Sequence, residues 1–270
     1  MTDRAATSQP RQAAAIFILF TVLLDMLSFG IVIPVLPKLV EEFMAGDTAR
    51  AAEVFGYMGT AWALMQLVCS PIQGALSDRF GRRPVVLLSN VGLGLDYILM
   101  ALAPNLAWLF AGRVIAGMAS SSFSTAGAYI SDVTPPEQRA AAFGKIGMVF
   151  GLGFILGPAL GGWLGAIDPR LPFWGAAAFS LLNACYGFFV LPESLPREKR
   201  AAFAWKRANP VGSLVLLRSH PELFGLATVA FLGYLAHAVL PSTAVLYMSY
   251  RYGWDMTSVG LMLAGVGGRR

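Results

Sequence analysis

Two carboxylates and one guanidinium lie inside long apolar stretches of the sequence. Asp25 stands in "LLDMLSFGIVIP", Asp96 in "LDYILMA" and Arg113 in "GRVIAG". A charged side chain costs about 3 kcal/mol at the centre of a membrane helix, so each should face other protein groups. Carboxylates near an arginine can take up and release protons, because the arginine tunes their proton affinity. A structural ion pair that only locks helices together is the alternative.

A second group of charges is compact. The stretch "GALSDRFGRRPVVLL" holds four charged residues within six positions, namely Asp78, Arg79, Arg82 and Arg83, framed by Gly74 and Gly81. We call residues 74–83 the charged motif. Its arginines suit a cytoplasmic topology anchor, because positive residues collect on that side of a membrane protein. An anchor does not account for the aspartate or the two glycines, which favour a specific contact.

A third pattern is a row of small residues in "GKIGMVFGLGFILGPALGGWLG". Gly153, Gly157, Gly161 and Gly165 recur at intervals of four and share one helical face. Such faces let two helices approach closely. Pro158 removes one backbone hydrogen bond and should bend the helix. Ordinary tight packing and a flexible seam between two helix bundles are both compatible with the pattern.

The composition points to a membrane protein. The chain has 270 residues, of which 56% are hydrophobic and 13% are charged, whereas soluble domains carry about 25% charged residues. The net charge of +5 comes from basic residues scattered through short loops, which argues against nucleic-acid binding. Cys69 and Cys185 both lie in apolar stretches, so neither a disulfide framework nor a thiolate metal site is indicated.

Helical length sets the number of membrane spans. A hydrocarbon core of about 30 Å needs roughly 20 apolar residues, and seven stretches meet this requirement. An eighth begins near Thr257 and stops after about 11 residues, so we expect a chain cut short within its eighth span. The predicted spans are residues 13–37, 53–76, 84–103, 106–130, 141–165, 173–191 and 223–247.

The loop charges predict the orientation. With a cytoplasmic N-terminus, thirteen Lys and Arg residues fall in inner loops and four in outer loops, as the positive-inside rule requires. The predicted organisation is a cytoplasmic N-terminus at residues 1–12, a six-span bundle at 13–191, a cytoplasmic inter-bundle loop at 192–222 and an incomplete second bundle at 223–270. The inner residues are Arg4, Arg11, Arg79, Arg82, Arg83, Arg139, Lys145, Arg197, Lys199, Arg200, Lys206, Arg207 and Arg218; the outer ones are Lys38, Arg50, Arg170 and Arg251.

These motifs resemble the major facilitator superfamily. Its loop between spans two and three reads G-x-L-x-D-R-x-G-R-R, which is matched in full by Gly74, Leu76, Asp78, Arg79, Gly81, Arg82 and Arg83. Arg113 is similar to the family's fourth-span arginine. The fifth span is similar to the drug–proton antiporter motif, at Gly144, Gly153, Gly157, Pro158, Gly161 and Gly162. Asp25, Asp96 and "AGAYISDVT" look most like the tetracycline/proton antiporters.

The resemblance implies a fold and a gate. The fold is an all-α polytopic membrane protein, with an N-terminal six-helix bundle of 3+3 inverted repeats and the start of a second bundle. In the family, the aspartate of the charged motif meets the positive end of a second-bundle helix, and the basic residues bond within the motif. This network closes the inner side. Because that second-bundle helix lies beyond the sequence, we expect Asp78 to lack a proper partner.

The resemblance also implies a function. We expect proton-coupled efflux of an amphipathic drug such as tetracycline by alternating access, with Asp25, Asp96 and Arg113 as coupling residues in the cell membrane. A sugar or metabolite importer and a truncated, non-transporting fragment are the alternatives. We expect no enzyme activity and no cofactor, although tetracycline would arrive as a divalent-metal chelate. Expected partners are membrane lipid, the substrate, protons and a separately encoded or missing second half, but no nucleic acid.

Overall fold

The computed structural model describes residues 8–120, 122–205, 208–210, 221–239 and 243–267, and these ranges contain helices and no strand. Arg4, Lys206, Arg207 and Arg218 of the loop-charge prediction lie outside them. The helices are α1 (Ser8–Val32), α2 (Leu36–Phe43), α3 (Thr48–Phe80), α4 (Arg82–Ala101), α5 (Leu106–Ala119), α6 (Ser122–Val133), α7 (Arg139–Ile167), α8 (Leu171–Val190), α9 (Pro221–Val239), α10 (Val245–Tyr252) and α11 (Met256–Gly267).

Two predicted spans each consist of two helices. In the first span, α1 ends at Val32 and α2 begins at Leu36, with Pro34 in the turn between them. Proline has no N–H to bond the carbonyl four residues earlier, and its ring clashes with that turn, so a break is expected there. In the fourth span, α5 ends at Ala119 and α6 begins at Ser122.

Local signals account for the helix ends. The side chain of Asp47 accepts a hydrogen bond from the Arg50 backbone N–H at 3.0 Å and caps α3. The Asn105 side chain caps α5 in the same way, through the backbone N–H groups of Ala107 and Trp108. Gly81 joins α3 to α4 with a φ of 111°, a conformation that other residues rarely adopt.

The first six spans pack as two related triplets. α1 packs against α7 and α8, while α3 and α4 both pack against α5, and α4 also packs against α8. Exchanging the first three spans with the second three maps this set of contacts onto itself. Such a mapping is the packing expected of 3+3 inverted repeats. Outside the bundle, α11 packs against α7.

Two apolar clusters fill the bundle, one toward each end. The first contains Val32, Tyr97 and Leu109, and the second contains Val22, Val86 and Tyr129. The first, third and fourth spans each contribute residues to both clusters. The stretch between the clusters is where polar side chains can be buried against one another.

Length and composition support five membrane spans among the described residues. These are Ala14–Phe43, Arg82–Ala101, Leu106–Val133, Pro136–Ile167 and Leu171–Val190. α3 has 33 residues and is long enough but less apolar, and the apolar part of α9 is Leu223–Ala236. The second and seventh spans therefore remain predictions.

Candidate functional site

A layer of buried polar side chains lies between the two apolar clusters. Along α1, Asp25 falls between Val22 of one cluster and Val32 of the other. No member of the layer is more than 9% exposed, so each faces protein, as the cost of a charge in lipid demands. The three coupling residues predicted from the sequence all belong to it. This central polar layer comprises Asp25, Asn90, Asp96, Arg113, Ser180 and Asn183.

An amide side chain of the sixth span hydrogen-bonds to Asp25. The Asn183 Nδ2 of α8 donates hydrogen bonds to the Asp25 Oδ1 at 2.7 Å and to the Thr21 carbonyl at 2.9 Å. Asn183 was not among the residues predicted from the sequence. An amide in the apolar stretch "SLLNACYGFF" is a visible signal, but its partner depends on how α1 and α8 pack.

Asp96 and Arg113 lie near each other without a direct bond. The Asp96 carboxylate lies against Gly112, where a β-carbon would sit 3.0 Å from its Oδ1. Neither carboxylate oxygen has a hydrogen-bond partner within the described part of the chain. The Arg113 Nη2 lies 3.7 Å from the sulfur of Met100. The two charges interact electrostatically, and both retain hydrogen-bonding capacity for water or a ligand.

Tyr97 lies among the three ionisable residues. Its buried side chain is within electrostatic range of Asp25, Asp96 and Arg113. The structure thus brings the three predicted coupling residues into one electrostatic neighbourhood, although the hydrogen bond of Asp25 goes to the sixth span.

A cavity of about 590 Å³ adjoins the central polar layer. Phe29, Phe55, Trp62 and Tyr97 supply aromatic walls, and Arg113 contributes to the lining. The rings of Phe29 and Trp62 are stacked with centroids 6.1 Å apart. Pockets for drug-sized ligands occupy roughly 300–1,000 Å³ and combine apolar walls with a few polar groups. The cavity therefore has the size and lining to receive an amphipathic organic molecule.

The charged motif is organised around one arginine. Arg82 donates to the Ser77 hydroxyl at 2.6 Å and to the Asp78 carboxylate at 2.5 Å, and its Nε donates to the Asp132 Oδ2 at 3.1 Å. Asp132 lies in α6, so the motif bonds across spans two, three and four. By contrast, Arg79 is exposed and contacts the ring of the neighbouring Phe80.

The segment after the sixth span completes this network. The Glu193 Oε1 accepts a hydrogen bond from the Arg82 backbone N–H at 2.9 Å, and its Oε2 lies 3.7 Å from Arg200. The Arg83 guanidinium donates to the carbonyl of Phe188 at the end of α8. Asp132 and Glu193 were not predicted from the sequence because their partner Arg82 is distant along the chain, and Arg200 joins the network only through Glu193.

One expectation about the charged motif is wrong. Asp78 was expected to lack a proper partner, yet its carboxylate pairs with Arg82 and its carbonyl accepts from the Ala201 N–H at 3.1 Å. Its side chain is 49% exposed. The two are four positions apart, close enough for a contact within the motif. Asp78 therefore has a local partner without any second-bundle helix.

The glycines of the fifth span face two different neighbours. Added β-carbons at Gly153, Gly157 and Gly161 would meet α1, at Met26, Gly30 and Ile31 respectively. Gly162 instead lies against Met256 and Gly260 of α11. One row of glycines on α7 therefore packs closely against α1 within the bundle. The neighbouring position on the same helix packs against α11. Gly144 has open space around it.

The fold and the buried charges define a multi-pass, all-α membrane protein. The chain belongs to the major facilitator superfamily, whose sequence profile matches residues 18–269. It is 42% identical over 254 residues to the class C tetracycline resistance protein of Escherichia coli, covering 94% of the chain and 63% of that relative. The class D protein of Salmonella ordonez is 36% identical, with the same coverage.

Solved structures support the same family. The human organic anion transporter MFSD10 matches with a TM-score of 0.76 and 27% identity, over 96% of this chain and 72% of that one. A bacterial homologue of the human lysosomal transporter Spinster matches in fold with a TM-score of 0.71 and 19% identity, over 95% of this chain and 59% of that one. The chain thus spans about 63% of the length of its tetracycline resistance relatives.

Proposed function

We propose that the chain contributes the first half of a proton-coupled exporter of amphipathic drugs, with tetracycline as the leading substrate. The position of Arg113 is the observation that supports the proposal most strongly. This side chain lines the cavity and also interacts electrostatically with Asp96. A ligand that contacts this guanidinium changes the field at the carboxylate. Substrate binding and proton binding are thereby linked through one side chain.

Asp25 and Asp96 are the proposed proton carriers. A carboxylate releases its proton more readily beside a cation or in water, and less readily in a dry cavity. Opening the cavity to one side of the membrane admits water and changes that balance. Alternating access therefore gives the carboxylates a different proton affinity on each side, which couples proton entry to drug exit.

The lining supports an aromatic, amphipathic substrate. Phe29, Phe55 and Trp62 offer faces for stacking with a fused-ring drug, while Arg113 offers donors for an oxygen-rich edge. The similarity to proteins named for tetracycline resistance supports the same choice.

We propose that transport needs a second bundle and that the charged motif forms the inner gate. Alternating access in this family moves two bundles around a site between them, and the chain spans about 63% of the class C relative. The motif residues Gly74, Asp78, Arg79, Gly81, Arg82 and Arg83 would close the inner side. The partner is a second half, encoded in the same gene or separately.

The proposed orientation places the N-terminus in the cytoplasm. Single cysteines at Asp47 and Glu198, in a variant lacking Cys69 and Cys185, would test it with a membrane-impermeant thiol reagent on intact cells. We expect labelling at position 47 and protection at position 198. The reverse pattern would contradict the orientation.

The decisive test of function removes the Asp25 charge. The chain is completed with the segment of the class C relative beyond the matched region, and drug-dependent proton movement is measured in everted membrane vesicles. Asp25→Asn should abolish it at equal membrane insertion, and Asp47→Asn, in an outer loop, should leave it unchanged. Undiminished proton-driven export by Asp25→Asn would refute the proposal, and tetracycline import would favour the importer alternative.

A further inference from the structure

One amide group connects the first and sixth spans at the centre of the bundle. The Asn183 Nδ2 donates to the Asp25 carboxylate and to the Thr21 carbonyl, two acceptors one helical turn apart on α1. Only the nitrogen end of the amide can face two acceptors, which fixes its orientation. Asn183 therefore binds both ends of a single turn of α1.

This contact is shielded from competition. Asn183 is fully buried and Asp25 is 6% exposed, so neither can exchange the bond readily for bulk water. A hydrogen bond to an ionised carboxylate is about twice as strong as one between neutral groups. The amide therefore holds the Oδ1 of the Asp25 carboxylate on the side of α1 that faces α8.

The Asp25 carboxylate lies one helical turn from the drug-sized cavity. The cavity wall formed by α1 begins at Phe29, four residues beyond Asp25. Asn183 holds the carboxylate toward α8 at this level, within the central polar layer. A proton carrier in this position responds to the cavity without direct contact with its contents.

A second buried amide lies at the same height. Leu87 of α4 packs against Gly187 of α8, and Gly94 packs against Leu181. Because α4 and α8 run antiparallel, Asn90 is level with Asn183. Neither amide atom of Asn90, nor the Asn183 Oδ1, has a hydrogen-bond partner within the described part of the chain. Buried polar atoms without a partner are costly, so this level of the bundle is kept polar on both α4 and α8.

We propose that Asn183 is a positioning residue for Asp25: it holds the carboxylate within the polar layer, one turn from the cavity. This role rests on the proposed function, in which Asp25 carries the coupled proton. It assigns to the sixth span a part in coupling.

The test uses one shape-matched variant and one control. Asn183→Leu keeps the branched shape of the side chain, with a somewhat larger volume, and removes the donor. Ser28→Ala, three residues from Asp25, removes a buried hydroxyl that bonds the Leu24 carbonyl of its own helix at 2.8 Å. The infrared carboxyl band that Asp25→Asn eliminates is recorded for the chain in lipid vesicles. Tetracycline-driven proton flux is measured for the completed transporter.

Asn183→Leu should shift the Asp25 band and lower the maximal rate about tenfold to a hundredfold, as misplaced reacting groups do. The apparent KM for tetracycline should stay within about twofold, because the drug does not contact Asn183. Ser28→Ala should change neither the Asp25 band nor the maximal rate. If Asn183→Leu fails to insert, Asn183→Ser, which keeps a donor, should insert with an intermediate rate and a partly shifted band.

The outcomes separate this role from the proposed function. Normal flux and an unshifted band in Asn183→Leu, alongside loss of flux in Asp25→Asn, would overturn the positioning role alone. Normal flux in Asp25→Asn would overturn the proposed function and this role together. An unshifted band in an inserted Asn183→Ser with no flux would also overturn the positioning role.

Discussion

The charged motif and the central polar layer each contain a buried arginine, and the two arginines are bonded in opposite ways. Arg82 of the motif has bonds to Ser77, Asp78 and Asp132. In the polar layer, Asp96 has no hydrogen bond to a described residue, and among the described residues Arg113 has only a weak sulfur acceptor. A satisfied network favours one geometry, whereas unsatisfied buried groups reduce stability and remain available to water, protons or ligand.

The largest expected effect is at the centre of the charged motif. Arg82→Leu leaves the partly buried Asp132 without its cation, so the free energy of unfolding should fall by about 3 kcal/mol. Arg79→Leu is the matched control, because Arg79 is exposed and lies against the ring of the adjacent Phe80; it should change stability by no more than about 0.5 kcal/mol. Urea unfolding in detergent micelles measures both. Equal effects would mean that the network around Arg82 is not stabilising.

A contrast between tightly packed and unpacked glycine positions exists along α7. A β-carbon at Gly161 would collide with the carbonyl of Ile31 on α1, which is backbone and cannot rotate away. Gly161→Ala should therefore lower the free energy of unfolding by about 2 kcal/mol. Gly144 has open space around it, and Gly144→Ala should raise stability by about 0.5–1 kcal/mol through helix propensity. A destabilised Gly144→Ala would point to a close neighbour outside the described residues.

A smaller effect is expected where the charged motif meets the segment after span six. The Glu193 Oε1 accepts from the backbone N–H groups of Arg82 and Leu195. Glu193→Gln removes the charge that strengthens both bonds and should lower the free energy of unfolding by about 1 kcal/mol. Glu198→Gln, exposed in the same segment, should have no measurable effect. If the two variants behave alike, the segment is not anchored through Glu193.

The two regions differ in how far sequence reasoning could describe them. Helix positions and the residues of the charged motif follow from local signals: apolar length, a proline, capping side chains and a glycine with positive φ. Partners such as Asp132 for Arg82 follow from packing between distant helices, which spacing along the chain does not encode. The incorrect expectation for Asp78 has the same origin, because the family pattern directed attention to a helix of the second bundle rather than to Arg82.

The polar layer was predicted only through its charges. Asp25, Asp96 and Arg113 stand out in apolar sequence because a charge in a membrane is costly. Neutral amides have a weaker signal, since an asparagine in a span also serves ordinary helix contacts. Asn183 and Asn90 became recognisable when packing placed them beside Asp25 and level with each other.

The smallest expected effect has the opposite sign and tests the comparison most directly. Asn90 is fully buried, and neither of its amide atoms is bonded to a described residue. Replacing an unsatisfied buried amide by an apolar side chain of similar size removes a desolvation cost, so Asn90→Leu should raise the free energy of unfolding by up to about 1 kcal/mol. Asn183→Leu, at the same height but with two hydrogen bonds lost, should lower it by about 1–2 kcal/mol. Urea unfolding of the two variants side by side measures the difference in sign. A loss of stability in Asn90→Leu as large as that in Asn183→Leu would mean that the polar layer is a structural network like the charged motif, rather than a region kept polar at a cost to stability.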